Sequence, residues 1–142
     1  GLPIHITEFD VDVANEQLQA QYLTDFYTAV FAHPAVEAIV MWGFWEGAHW
    51  RPHAALYRRD WSEKPVGAAY RKLTQQAWIT DEQLVADAEG RVVLRGFVGD
   101  YLLQAQTPAT PTANPRDAPS GHVKTEIHLP RDGASVVLKL TP

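Results

Sequence analysis

The chain has no cysteine among its 142 residues. That excludes a disulfide framework and any thiolate metal site. It also has no run near the roughly 18 apolar residues that a membrane span needs. Basic residues are in the minority, 12 Lys and Arg against 17 Asp and Glu, for a net charge of -5. With no basic stripe to offset that balance, neither nucleic acid nor a membrane surface is expected as a partner. Methionine is nearly absent as well: there is one, and position 1 is Gly. The expectation is that a signal peptide or a whole domain precedes Gly1. What the chain does have is aromatic residues, with five Trp and five Tyr, and most of the Trp fall between Trp42 and Trp61.

Two compositions meet near Trp78. Before it, strand-like and helix-like segments alternate. Leu2 to Glu8 reads as a strand buried on both faces. Asn15 offers a helix cap, and Leu18, Tyr22, Leu23, Phe26, Tyr27 and Val30 recur at helical spacing. Pro34 stops that helix by His33. Val36 to Trp42 is a second apolar strand, and a long aromatic loop follows from Gly43 to Lys64. Pro65 opens a helix to about Gln76, with Val66, Ala69, Tyr70 and Leu73 on one face. This alternation points to a parallel α/β sheet. Beyond Trp78 the reading changes to strands at 83–86, 91–97, 100–106, 122–129 and 134–140. "DAEG" and "RDG" supply turns. A Pro-, Ala- and Thr-rich segment, 107–121, reads as a long exposed loop within a small antiparallel sandwich. The expected domains are therefore 1–76 and 77–142, with Trp78 sealing the joint between helix and sandwich.

The chemistry-bearing feature is "LPIHITEFDVDV", an apolar strand that runs into Glu8, Asp10 and Asp12. In a (β/α) barrel, catalytic side chains sit where strands end and βα loops begin. Alternation puts Glu8 with Ile6 and Ile4, and Asp10 follows in the same sense. A carboxylate there, near Trp, suits a nucleophile attacking a sugar through an oxocarbenium-like transition state. The residues alone leave another reading open, since acids at strand ends also serve as helix caps or solvated loop residues.

"HITEFDV" (His5 to Val11) resembles the nucleophile strand of glycoside hydrolase family 10, the retaining endo-β-1,4-xylanases, with Phe9 where the family has Leu. "VMWGFWEGAHWRP" (Val40 to Pro52) resembles the family's eighth-strand segment, and "KPVGAAYRKL" (Lys64 to Leu73) its closing helix. The blocks keep the family's order and cover about half the chain. The resemblance implies an α/β plus β fold: the last two βα units of a TIM (β/α)8 barrel followed by the small antiparallel β-sandwich. "RGFVGDY" (Arg95 to Tyr101) is similar to the core of C-terminal β extensions in some members.

The resemblance further implies Glu8 as catalytic nucleophile and Asp10 as the acid orienting a histidine that contacts it. Trp42 and Trp50 become aromatic walls for the sugar, since a pyranose C–H face stacks on a large ring. Glu46 and Arg51, in the same loop, are candidate substrate contacts, although "WEGAH" departs from the family's usual Asp-Ser-type loop. The family's acid/base lies in an Asn-Glu motif on the fourth strand. Asn15-Glu16 is the only such pair here and sits at a helix start. The implied partners are xylan or xylo-oligosaccharide and a missing N-terminal barrel portion. The chain alone is expected to be inactive, with no cofactor and no metal, and the protein to be secreted or in the cell envelope. Open strand edges favour a strand-paired or domain-swapped homo-oligomer.

Other readings stay beside this one. His49 and His53 are four apart, and His122, Glu126 and His128 share a strand face; neither set reads as a metal site. Asp10, Asp12 and Asn15 lack the glycine and distal Glu of a calcium loop. His5 is expected to pack beneath a helix. Trp45 and Trp61 are either sugar subsites or ordinary packing, and Glu46 is a remote candidate for the acid. A non-catalytic carbohydrate-binding or structural piece, or a retaining β-glycanase for another sugar, are the alternatives in function.

Overall fold

The computed structural model describes residues 1–107 and 121–140. Most of the loop expected at 107–121 lies outside the described residues. The chain divides into two units, Gly1–Ile79 and Thr80–Pro142.

In the first unit, β1 (Ile4–Phe9), α1 (Glu16–Phe31), β2 (Val36–Met41) and α2 (Pro65–Lys72) follow in order. The two strands pair in parallel, from Ile4 beside Val36 to Phe9 beside Met41, with irregular register on the way. Asn15 caps α1, its Oδ1 accepting the N–H groups of Gln17 and Leu18 at 3.1 Å each. Two of the helix's first free donors are thereby satisfied. Pro65 opens α2, where its missing N–H costs nothing. A π-type turn over Leu73–Ala77 ends that helix.

The core lies between α1, α2 and the end of β1. Phe9, Val11, Leu23, Tyr27, Leu56 and Val66 are its buried members. Phe9 stacks on Phe26 with centroids 4.5 Å apart and meets Tyr27 edge-on at 5.4 Å. Trp78 stacks on Phe31 at 4.0 Å, so within this unit it closes the far end of α1. Burial holds the Tyr27 phenol well above its ordinary range, and the neighbouring Tyr70 adds to this.

Three expectations are corrected here. The buried residues of α1 are Gln19, Leu23 and Tyr27, while Leu18 and Tyr22 are exposed. The helix is turned so that a polar residue enters the core. Gln19 donates through Nε2 to Val11 O at 3.0 Å and to His53 O at 2.7 Å. Second, β1 is not buried on both faces: only Phe9 is buried. Third, His5 does not pack beneath a helix; it is exposed, its Nε2 lying 3.4 Å from Glu37 Oε2.

Gly67 sits where α2 crosses the loop before it. A Cβ there would lie 2.8 Å from Leu56 O, so only glycine admits this approach. Glu63, just ahead of α2, takes two bonds of 2.7 Å from Arg71. That forked contact holds the Glu63 carboxyl below its ordinary range.

In the second unit β3 (Gly99–Gln106) and β4 (His122–Leu129) form an antiparallel pair, Gly99 opposite Leu129 through Gln106 opposite His122. The strands expected at 83–86, 91–97 and 134–140 are corrected: those residues form no ladder among the described residues. The "DAEG" turn does close, Asp87 N–H donating to Arg91 O and Gly90 N–H to Asp87 O, both at 2.9 Å. Its apolar arms, with Val85 and Val93 almost fully exposed, have no packed face to hold a ladder together. "RGFVGDY" has a clear local reason. The Tyr101 hydroxyl donates to Phe97 O at 2.7 Å and pairs with Thr80 Oγ1 at 3.1 Å. A Cβ on Gly96 would lie 2.5 Å from that hydroxyl.

Replacing Gln19 by Leu removes the donor from Val11 O inside the core. Thermal unfolding followed by Trp fluorescence should show a loss of about 2 kcal/mol. Glu63's lowered pKa means its stabilisation is complete above its ordinary value of 4.5 and disappears as pH falls through the folded value. Arg71→Gln should remove that acid-side dependence in melting curves taken across pH.

Candidate active site

"FDVDV" now has a structural meaning. Phe9 and Val11 are buried and Val13 packs against the core, so Asp10 and Asp12 fall on the alternate side. Each acid meets one residue of the loop after β2. Trp50 Nε1 donates to Asp10 Oδ2 at 3.0 Å, and Arg51 Nη1 donates to Asp12 Oδ2 at 3.0 Å. The Arg51 guanidinium also lies over the Trp50 ring, 4.4 Å from its centroid. Cation and ring therefore fix one another while each is tied to an acid. The two strand ends are stitched by Trp42 N–H donating to Phe9 O at 3.0 Å.

Three sequence candidates thus meet directly: Asp10, Trp50 and, through Asp12, Arg51. Trp42 joins by its backbone, and its ring is exposed. Glu8 is exposed on β1, one residue before the Phe9 carbonyl that receives Trp42. Glu46 faces elsewhere in its own loop, its Oε2 accepting Arg59 N–H at 3.0 Å.

The loop of 43–64 is braced from within. Pro52–Ala54 form one 3-10 turn, and short bridges link Trp45 to Tyr57 and Tyr57 to Glu63. His49 Nδ1 accepts Arg51 N–H at 3.0 Å, which assigns the ring proton to Nε2. That Nε2 is buried without a partner among the described residues. Lys64 is buried, and its Nζ donates to His53 O at 2.6 Å. Desolvation draws its pKa below the ordinary lysine value, with Glu16 and Glu46 opposing that shift. Among the described residues no group of three His, Asp or Glu is arranged to hold a metal ion.

Sequence reading named Asp12 among the clustered acids without a partner for it, and it missed Gln19 and Lys64. The signal for Gln19 was present: it falls four residues before Leu23 and eight before Tyr27, a polar residue on the apolar stripe. Lys64 carried no local signal, and the partner of Asp12 did not show either, because both contacts are set by the loop's path.

Residues 1–75 match the sequence profile of glycosyl hydrolase family 10. The chain belongs to glycosyl hydrolase family 10. It is 38% identical to the anti-sigma-I factor RsgI6 of Acetivibrio thermocellus over 109 residues, 76% of this chain and 14% of that protein. It is 33% identical to endo-1,4-beta-xylanase 3 of Arabidopsis thaliana over 109 residues, 77% of this chain and 14% of that protein. With endo-1,4-beta-xylanase B of Cellvibrio japonicus it shares 31% over 66 residues, 46% of this chain and 11% of that protein. The first two alignments are longer than the first unit, so the likeness runs on into the second. The chain spans about one-seventh of the length of these two relatives. For this family 10 chain, membership implies a piece of a TIM barrel.

The contact between His49 and Gly43 gives a test. A Cβ at Gly43 would lie 2.7 Å from His49 Cδ2. Gly43→Ala must displace the imidazole that receives Arg51 N–H. It should lower stability by about 1–3 kcal/mol, read from thermal unfolding.

Proposed function

We propose that this chain supplies the nucleophile side of a retaining endo-1,4-β-xylanase. Its first unit would provide the last two βα units of the barrel, and its second the core of a small β-sandwich. The observation that carries this reading is the Asp10–Trp50 hydrogen bond at the end of β1. It brings an acid and a large ring together from segments 40 residues apart, the acid lying two residues after Glu8 in the chain. Family membership adds to it.

In this reading Glu8 attacks the anomeric carbon, and the glycosyl–oxygen bond to the leaving sugar breaks as a second carboxyl protonates that oxygen. Water, deprotonated by the same second group, then releases the sugar with retention. That partner must lie about 5–5.5 Å from Glu8. Glu46 is held by the Arg59 backbone, so the acid/base is assigned to the N-terminal portion of the barrel. Asp10 steadies Trp50 as a sugar wall, Trp42 forms a second wall, and Arg51 offers a charged donor at the rim. The substrate is xylan or xylo-oligosaccharide, and the protein works outside the cell or in its envelope. A two-stranded sheet cannot enclose a barrel cleft, so the chain alone is inactive. Its open edges would draw it into a strand-paired or domain-swapped homo-oligomer.

A second reading is favoured by the 38% identity to a protein named as an anti-sigma-I factor rather than as a hydrolase. There the same site would bind saccharide without cleaving it.

In the complete enzyme, Glu8→Gln should lower kcat on an aryl xylobioside by at least about a thousandfold, with folding intact by circular dichroism. The 142-residue chain should show no turnover above background. Undiminished kcat in the variant would sink the nucleophile assignment. Saccharide binding by the complete protein with no turnover at all would favour the second reading.

A further inference from the structure

The loop after β2 carries a second group of rings that the site above does not use. Trp61 stacks on Trp45, centroids 5.1 Å apart and planes within 8°. Phe44 and Tyr57 flank Trp61 at 6.3 and 6.5 Å, tilted by 44° and 45°. Trp61 nevertheless remains 58% exposed, and Phe44 55%. Since one face of Trp61 lies on Trp45, that exposure comes from its other face and its edges. A flat indole is held open, with inclined rings beside it.

The support beneath it is rigid. Trp45 Nε1 donates to Arg59 O at 3.3 Å, and a Cβ on Gly47 would fall within 2.2 Å of the Trp45 ring. Glycine at 47 is thus what lets Trp45 lie flat. Trp61 itself has φ 67°, the one positive φ at a non-glycine position among the described residues. A bulky aromatic residue in left-handed backbone is a strained choice where Gly or Asn would be relaxed. The turn is fixed by Trp61 N–H donating to Arg58 O at 2.9 Å and by Ser62 donating twice to Asp60 Oδ1, at 3.0 and 2.7 Å. Packing alone does not account for a strained Trp that leaves more than half its surface in water. Arg59 and Asp60, the two residues before Trp61, are exposed. A flat open indole with charged residues adjacent in the chain suits a pyranose, whose C–H face stacks while its rim hydroxyls form hydrogen bonds. The platform is also continuous in sequence with the loop that carries Trp42 and Trp50.

We propose that Trp61, backed by Trp45, is a stacking platform for one pyranose unit of a polysaccharide chain, separate from the Asp10–Trp50 site. It would hold polymer rather than short oligosaccharide. The identity of that polymer as xylan rests on the proposed function.

Affinity electrophoresis of the full chain in gels containing soluble xylan tests this, with Trp61→Gly, Trp61→Tyr and Trp50→Ala alongside the parent. Trp61→Gly relaxes the backbone and removes the ring, so it should melt no lower than the parent yet bind xylan at least about fivefold more weakly. Trp61→Tyr should stay within about twofold of the parent. Retardation of Trp61→Gly equal to the parent's would overturn the platform, as would a parent that xylan does not retard. So would a Trp61→Gly variant that changes sedimentation but not retention, since the ring would then be covering a second copy of the chain. Binding lost in Trp50→Ala and kept in Trp61→Gly removes the platform and leaves the proposed function standing. Binding that depends on Trp61 while Glu8→Gln leaves turnover intact does the reverse.

Discussion

One buried carboxamide sets the geometry of the first unit. Gln19 reaches from α1 to Val11 O behind β1 and to His53 O in the loop after β2. Lys64 holds the same His53 oxygen from the start of α2. A buried carbonyl without a donor is costly, so these bonds specify where the two loops run. Val11 lies between Asp10 and Asp12, and His53 lies just beyond Trp50 and Arg51. Fixing those two carbonyls is therefore what brings two acids opposite an indole and a guanidinium.

The loop after β2 acts as a small scaffold rather than a tether. Its ends are joined by backbone bonds from Leu56 and Tyr57 to Phe44 O and from Lys64 to Leu56 O, each 2.9 Å. Glu46 adds a bond to Arg59 N–H, and His49 one from Arg51 N–H. Such bracing lets large rings stand in solvent without collapsing onto the core, which is the condition for stacking against a flat ligand. It also explains why the loop is glycine-marked. Gly43 and Gly47 each lie against a ring that a Cβ would strike.

The second unit follows a different logic. Alternating burial along β3 and β4 gives that pair one half-covered face, and the Tyr101 hydroxyl ties the residues before β3 to its start. The relatives share part of this unit as well as the barrel segment. The likeness therefore extends past the family-matched residues.

Local physics made much of this legible from sequence. Asn15 and Pro65 marked helix starts, and Pro34 bounded α1. These features depend on neighbours within a turn or two, so the residues themselves carry them. The partners of the acids did not show, because a hydrogen bond across 40 positions depends on the whole path of the chain. The apolar face of α1 was misplaced for the same reason: helical spacing favours Leu18 and Tyr22, while the two carbonyls turn Gln19 inward. At 83–86, 91–97 and 134–140 β-forming residues were present, but a strand needs a partner and a packed face. Sequence set the elements and the chemistry each could offer. Tertiary structure chose which groups meet, since contact over long separation is decided by packing and buried hydrogen bonds rather than by local preference.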